Sequence, residues 1–182
     1  MKKLLSLALA CTVLASTVQA EPDEGTSWYL GAGAGMSRLK PDTNNTGFSV
    51  SDKYDFAYKV SAGYDWSEHI STEAFYTDLG EAGISPYGEV EYKVFGVSGL
   101  YYFRNRPANQ QGYNLYGKLG VGRMNNDSDL RYKRDHDYHV LFGAGIEHGL
   151  TRNFTLRLDL ELFDEDAQLL SINLLRRFDS KK

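Results

Sequence analysis

Apolar and polar residues alternate with period two along most of this chain, in stretches separated by polar loops, the pattern of strands that present one face to hydrocarbon or core. In residues 28–38, Trp28, Leu30, Ala32, Ala34 and Met36 share a face; Tyr29, Gly31, Gly33, Gly35 and Ser37 share the other. In residues 56–66, Phe56, Tyr58, Val60, Ala62, Tyr64 and Trp66 oppose Ala57, Lys59, Ser61, Gly63 and Asp65. The alternation recurs over residues 70–79, 90–103, 113–124, 138–148, 154–163 and 168–178, which predicts eight strands. The last two are the clearest. Leu156, Leu158, Leu160 and Leu162 alternate with Arg157, Asp159 and Glu161, and Leu170, Ile172, Leu174 and Phe178 face away from Ser171, Asn173 and Arg177.

The connections alternate in kind as well. Residues 67–69 and 149–153 read as tight turns, whereas 40–53, 80–89 and 125–137 read as longer polar loops. The link at 104–112 is long on the tight side, and 164–167 is short on the long side. Short turns at one rim and long loops at the other are the outer-membrane arrangement, with the N-terminus periplasmic. The Gly-Ala-Gly runs at 31–35 and 143–145 lie inside strand patterns with no helix after them, so they do not read as phosphate loops. Glycine on an inward face leaves room for bulky neighbours in a narrow lumen.

The first residues follow a different logic. Lys2 and Lys3 precede an apolar stretch over residues 4–18, and Val18-Gln19-Ala20 resembles a cleavage site, which predicts an exported chain. The stretch is interrupted by Ser6, Thr12, Ser16 and Thr17 and is too short for a membrane helix. Leu9-Ala10-Cys11 is a partial lipobox, but lipidation there would strand apolar residues 13–18 in the mature protein. The expected organisation is a signal peptide at 1–20, a short segment at 21–27, a barrel at 28–178 and a polar tail at 179–182.

Composition narrows the chemistry. Cys11 is the only cysteine of 182 residues, so a chain cleaved after Ala20 has neither disulfide nor thiol nucleophile. Four prolines, 18 glycines and 13 tyrosines favour strands and turns. A net charge of −4 carries no nucleic-acid signal. Mean hydropathy is negative and after the first 20 residues no segment approaches the apolar length of a membrane helix, which excludes a helical membrane bundle but not a membrane barrel, whose alternation keeps the average low.

A soluble barrel and a membrane barrel share this alternation and differ in which face is wet. Aromatic residues cluster at strand ends on the apolar face: Trp28, Trp66, Tyr76, Tyr101, Phe103, Tyr113, Phe154 and Phe178 are expected to form interfacial girdles. The opposite face carries Glu73, Lys118, Glu147, Arg157, Asp159 and Glu161. In a narrow lumen these must pair, since an isolated buried charge costs several kcal/mol. The expected fold is therefore all-β: an eight-stranded antiparallel up-and-down transmembrane barrel.

At this point the chain resembles the OmpA-like outer-membrane barrel domain. The residues that carry the resemblance are Trp28-Tyr29-Leu30-Gly31-Ala32, Gly63-Tyr64-Asp65-Trp66, Glu73-Ala74-Phe75-Tyr76, Lys118-Leu119-Gly120, Phe142-Gly143-Ala144-Gly145-Ile146-Glu147 and Arg157-Leu158-Asp159. The run from Leu170 to Phe178 is similar to the terminal strand that barrel-assembly machinery recognises, with Phe178 as its signal and four residues after it. The resemblance implies a lumen salt-bridge network of Glu73, Lys118, Glu147 and Arg157 that plugs the barrel, with exchange of partners linked to pore opening. The family's larger members continue into a peptidoglycan-binding domain, which this chain, ending at Lys182, is not expected to carry.

The residues admit four functions, in unequal measure. A structural barrel or narrow pore in the outer membrane leads, because eight strands enclose a lumen just filled by side chains. A surface adhesin or lipopolysaccharide-binding protein would act through its loops, above all 125–137 with Arg131, Lys133, Arg134 and His136. A lipid-active enzyme would need a Ser/His/acid set; His69, His136, His139 and His148 supply none, nor a metal cluster, so no catalysis and no cofactor are expected. A soluble lipocalin-like carrier is the fourth. The implied partners are outer-membrane lipids and lipopolysaccharide, with periplasmic chaperones and the assembly machinery during biogenesis. A closed barrel has no free edges, so a monomer is expected.

Overall fold

A computed structural model describes residues 26–39, 53–84, 88–104, 112–128, 138–164 and 167–179. Eight antiparallel strands follow one another in chain order: β1 Ser27–Leu39, β2 Lys53–Asp65, β3 Ile70–Ile84, β4 Gly88–Tyr102, β5 Tyr113–Ser128, β6 Tyr138–Gly149, β7 Phe154–Asp164 and β8 Ala167–Asp179. Each pairs with its neighbours, and β8 closes on β1. The closure satisfies every strand edge, which is what allows a sheet to stand in hydrocarbon.

The registers fix the stagger. Followed from strand to strand, the ladder runs from Arg38 to Gln168, Leu162, Phe142, Leu119, Gly99, Thr72, Tyr64 and finally Trp28. It returns to β1 ten residues from its start. With a rise of ~3.3 Å and a strand spacing of ~4.8 Å, this shear tilts the strands by roughly 40°.

The two faces differ as alternation predicts. Trp28, Leu30, Val60, Val97, Leu119, Val121, Phe142, Leu158, Leu160 and Ile172 point outward and are exposed. Tyr29, Lys59, Glu73, Lys118, Glu147, Arg157, Asp159, Glu161 and Arg177 point inward and are buried. An outer wall so rich in exposed leucine, valine and aromatic rings has lipid, not water, as its solvent.

The tight turns form where expected. Trp66 and Ser67 donate backbone N–H to Ile70 O, and Leu150 and Thr151 do the same to Phe154 O. The expected loop at 80–89 is instead largely strand, since β3 runs to Ile84 and β4 begins at Gly88. A bulge between Asp78 and Glu81 accommodates the extra residue. Gly80 takes φ = 82° there, a conformation that costs glycine least, and donates its N–H to Asp78 Oδ1 at 3.0 Å. Likewise β5 continues to Ser128, past the expected limit at 124. The β5 extension is polar on both faces and the β3 extension is glycine-rich with little contrast between faces, so pairing continues where the hydrophobic alternation has ended. The segments 1–25, 40–52, 85–87, 105–111, 129–137, 165–166 and 180–182 lie outside the described residues, and with them the signal peptide, the loop residues Arg131, Lys133, Arg134 and His136, and most of the tail.

Candidate functional site

The lumen is the site. Its half nearer the tight turns holds a continuous ionic network, and its long-loop half is lined mainly by apolar side chains, with Ser37 and Thr77 buried among them. At the tight-turn rim Arg177 on β8 donates from Nε to Asp65 on β2 at 3.2 Å and from NH2 to Glu147 on β6 at 3.1 Å. Asp65 also accepts the hydroxyls of Ser27 at 2.7 Å and Ser71 at 2.5 Å. Glu147 Oε1 accepts Arg157 Nε at 2.8 Å, Arg157 NH2 at 2.6 Å and the hydroxyl of Tyr102 at 2.8 Å.

Arg157 spans the barrel. From β7 it reaches Glu73 on β3, the strand diametrically opposite, with NH1 donating to Oε2. The other oxygen of Glu73 accepts Lys118 Nζ at 2.9 Å. Lys118 and Lys59 both donate to Glu161 Oε1, at 2.8 Å and 2.7 Å. Asp159 lies 3.7 Å from Lys59 and 3.8 Å from Lys118, and accepts Tyr116 OH and Asn173 Nδ2. Every charge thus meets an opposite one, and Glu73, Glu147, Asp65 and Asp159 accept neutral donors as well, whereas Glu161 Oε2 finds no hydrogen-bond partner among the described residues.

Aromatic rings hold the guanidiniums in place. Arg157 lies 5.1 Å from the centre of Tyr29 and 5.3 Å from that of Tyr116, and Arg177 lies 5.5 Å from Tyr29. These separations suit cation–π attraction, which strengthens when water is excluded.

Above the network lies a second layer. Leu39, Ala57, Phe75, Leu79, Val94, Met124, Leu141, Phe163, Ala167 and Leu169 form one buried cluster at the long-loop end. Phe75 and Phe163 meet across the lumen with ring centres 6.1 Å apart. Water in a gap this narrow and apolar loses its hydrogen bonds, so the layer opposes hydration as well as passage.

The expected network residues Glu73, Lys118, Glu147, Arg157, Asp159 and Glu161 all stand in the lumen and are brought together. Three partners were missed: Lys59, Asp65 and Arg177. Each shares inward parity with a neighbour already recognised, so the signal was present. The apolar layer was not expected at all. Leu169 of that layer sits beside the outward Leu170, where alternation loses its contrast, as it does lower on β8 at Leu174-Leu175.

Trp28, Trp66, Tyr101, Phe103, Tyr113, Phe154 and Phe178 point outward near the tight-turn rim. They are knit laterally: Trp28 meets Tyr64 at 4.8 Å, Tyr101 meets Phe103 at 5.8 Å and Tyr113 stacks on His148 at 4.4 Å. Tyr76 also faces outward, but opposite Val60 and Phe95, higher on the wall than this ring. Tyr54, Phe56 and Tyr138 stand toward the other rim. Among the described residues no group of three or more His, Cys, Asp or Glu is arranged to hold a metal. His69 engages Tyr102 O at 2.9 Å, and His148 lies 3.3 Å from Gly112 O.

Comparison with known proteins agrees with this architecture. Residues 6–178 match the model of the outer membrane protein beta-barrel domain. Outer membrane protein A of Serratia marcescens is 30% identical over 97% of this chain and 56% of its own length. The 22 kDa outer membrane protein of Rhizobium leguminosarum bv. viciae is 30% identical over 84% of this chain and 73% of its own. The chain thus spans about half the length of the Serratia protein, and likewise 51% of outer membrane protein P5 of Haemophilus influenzae. In fold alone, it is similar to Neisserial surface protein A, with a TM-score of 0.62 and 19% identity, covering 85% of this chain and all of that one. The barrel domain of Pseudomonas aeruginosa OprF gives 0.60 at 15% identity, with 85% and 100% covered. With its closed eight-stranded wall, apolar exterior and matching sequence, this chain belongs to the outer membrane protein beta-barrel domain family.

Proposed function

We propose that the chain serves the outer membrane as an occluded structural barrel rather than as an open diffusion channel. The observation that carries this reading is the doubly filled lumen: an ionic network tied across opposite strands, and an apolar layer above it. Eight strands enclose a space that side chains alone can fill, and here they fill it. The role so read is non-enzymatic, with partners limited to outer-membrane lipids, lipopolysaccharide in the outer leaflet, and chaperones and assembly machinery during insertion. The barrel acts as a monomer, since its closure leaves no edge to pair. Phe178, paired with Trp28 at the β1–β8 seam, is the residue through which assembly reads the terminal strand.

A narrow-pore reading is favoured by one detail. Glu73 touches Arg157 with one oxygen and Lys118 with the other, so it can lean toward either cation without leaving the network. Planar-bilayer recording of the purified full chain separates the two readings. Steady silence is expected of an occluded barrel; discrete openings in the unmodified protein would replace it with the pore.

A further inference from the structure

Ten residues separate Trp28 from Arg38 on β1, Phe103 from Lys93 near β4, Tyr113 from Arg123 on β5 and His148 from Tyr138 on β6. All eight have outward parity. At ~3.3 Å per residue and a tilt of roughly 40°, ten residues climb about 25 Å, the height of an outer-membrane apolar band. Arg38, Lys93, Arg123 and Tyr138 therefore stand at one level, where the hydrocarbon ends on the long-loop side. The two rims differ in kind. The tight-turn rim is a ring of aromatics in which Arg176 is the outward strand cation among the described residues, its guanidinium 5.0 Å over the Phe178 ring.

Arg123 is placed unlike Arg38 and Lys93, the other two outward cations at this level among the described residues. Arg38 lies over the ring of its cross-strand neighbour Tyr54 at 5.8 Å, and Lys93 is directly opposite Asp78. Arg123 is opposite Phe95 on one side and Tyr138 on the other, both exposed. Lys93 and Asn125 are the diagonal neighbours above Phe95 and Arg123 on the same face. Arg123 is exposed, and its side chain takes part in no hydrogen bond or ion pair with the described residues. A guanidinium at the hydrocarbon boundary between two aromatic rings is within reach of lipid head-group anions, and a charge-assisted pair formed there is stronger than one in bulk water.

We propose that Arg123 and Lys93, framed by Phe95 and Tyr138, hold a phosphate of an anionic glycolipid in the outer leaflet. The planar guanidinium can grip two phosphate oxygens at once while lysine adds a point charge, and the rings lie against the first carbons of the acyl chains. The proposal deepens the lipid-partner reading above and depends on the long loops facing outward; it is independent of whether the lumen conducts.

The test uses the folded full chain in mixed micelles, with lipid adducts counted by native mass spectrometry. The probes are bisphosphorylated lipid A, the same lipid A with its phosphates removed, and inorganic phosphate. The protein is expected to retain the bisphosphorylated form about tenfold over the dephosphorylated one, the scale of one charge-assisted hydrogen bond. In the Lys93→Gln/Arg123→Gln double variant that preference should fall to near parity, while Arg176→Gln keeps it. Heat-modifiable gel migration verifies that each variant is folded, as expected for substitutions on an exposed surface. Equal retention of both lipids by the unmodified protein, or undiminished preference in the double variant, overturns the assignment. Displacement of the lipid by millimolar inorganic phosphate also overturns it, in favour of a free-anion site.

Discussion

Gly63 leaves the space that the ring of Tyr29 occupies. The two are directly paired between β2 and β1, and a methyl group on Gly63 would lie within the phenol ring. Tyr29 in turn faces Arg157 and Arg177 and donates its hydroxyl to Glu73 at 3.0 Å. Gly145 and Tyr116 repeat the device between β6 and β5, with Tyr116 bonded to Asp159. In both pairs an aromatic ring covers a cross-strand glycine, and the network rests on the covered ring.

Gly63→Ala should therefore destabilise the barrel by ~1–3 kcal/mol through overpacking. Gly99 makes the contrast, because it faces outward and a Cβ there comes no closer than 4.0 Å, to Leu119 O. Gly99→Ala should be neutral or stabilise by ~0.4–1 kcal/mol by restricting the unfolded chain. Urea unfolding in lipid vesicles, followed by tryptophan fluorescence, measures both; equal effects would refute the role given to Tyr29.

Arg157 links Glu147, Glu73 and two tyrosine rings across the lumen. Arg157→Ala is expected to cost ~3–5 kcal/mol, the range for breaking a buried ion pair. Arg176→Ala, one strand position away from the inward Arg177 but facing lipid near the rim, should cost under ~1 kcal/mol. Unfolding midpoints at constant slope report the difference, and similar losses would mean the network contributes no more than a surface residue.

The two lumen layers act in series. Arg157→Ala alone should leave bilayer conductance at the level of the unmodified protein, because the Phe75–Phe163 layer still excludes water. Combined with Phe163→Ala, it should produce measurable openings. If the single variant already conducts as much as the double, the apolar layer is no barrier.

The outer wall makes a depth prediction. Leu119, midway between Tyr113 and Arg123 on the lipid face, should lose ~2–4 kcal/mol when replaced by arginine. Tyr138→Arg, at the boundary, should lose only ~0–1 kcal/mol. A flat response across the two positions would be incompatible with a lipid-facing wall.

Much of this was legible in the chain itself, for a physical reason. A pleated strand sends neighbours to opposite faces, so the alternation of Leu156, Leu158, Leu160 and Leu162 with Arg157, Asp159 and Glu161 separates wall from lumen without any structure. The eight strands, the outward aromatics and six of the lumen charges follow from parity alone. Where parity loses its contrast, reading fails: at Leu169-Leu170 and Leu174-Leu175 both faces are apolar, beyond Met124 both faces are polar, and beyond Leu79 the glycine-rich run has no alternation, while the strands continue to pair.

Register decided the rest. Nothing in the local sequence of Arg157 names Glu73, which is 84 residues away; the two meet because closure with a ten-residue stagger places β7 and β3 face to face. The same stagger gathers Leu39, Phe75, Leu141 and Phe163 into one apolar layer and sets Lys93 beside Arg123 at the edge of the hydrocarbon. Alternation determines which way a side chain points, a property of two adjacent peptide units. What it meets there depends on how the whole sheet closes, and that is settled only when all eight ladders are satisfied together.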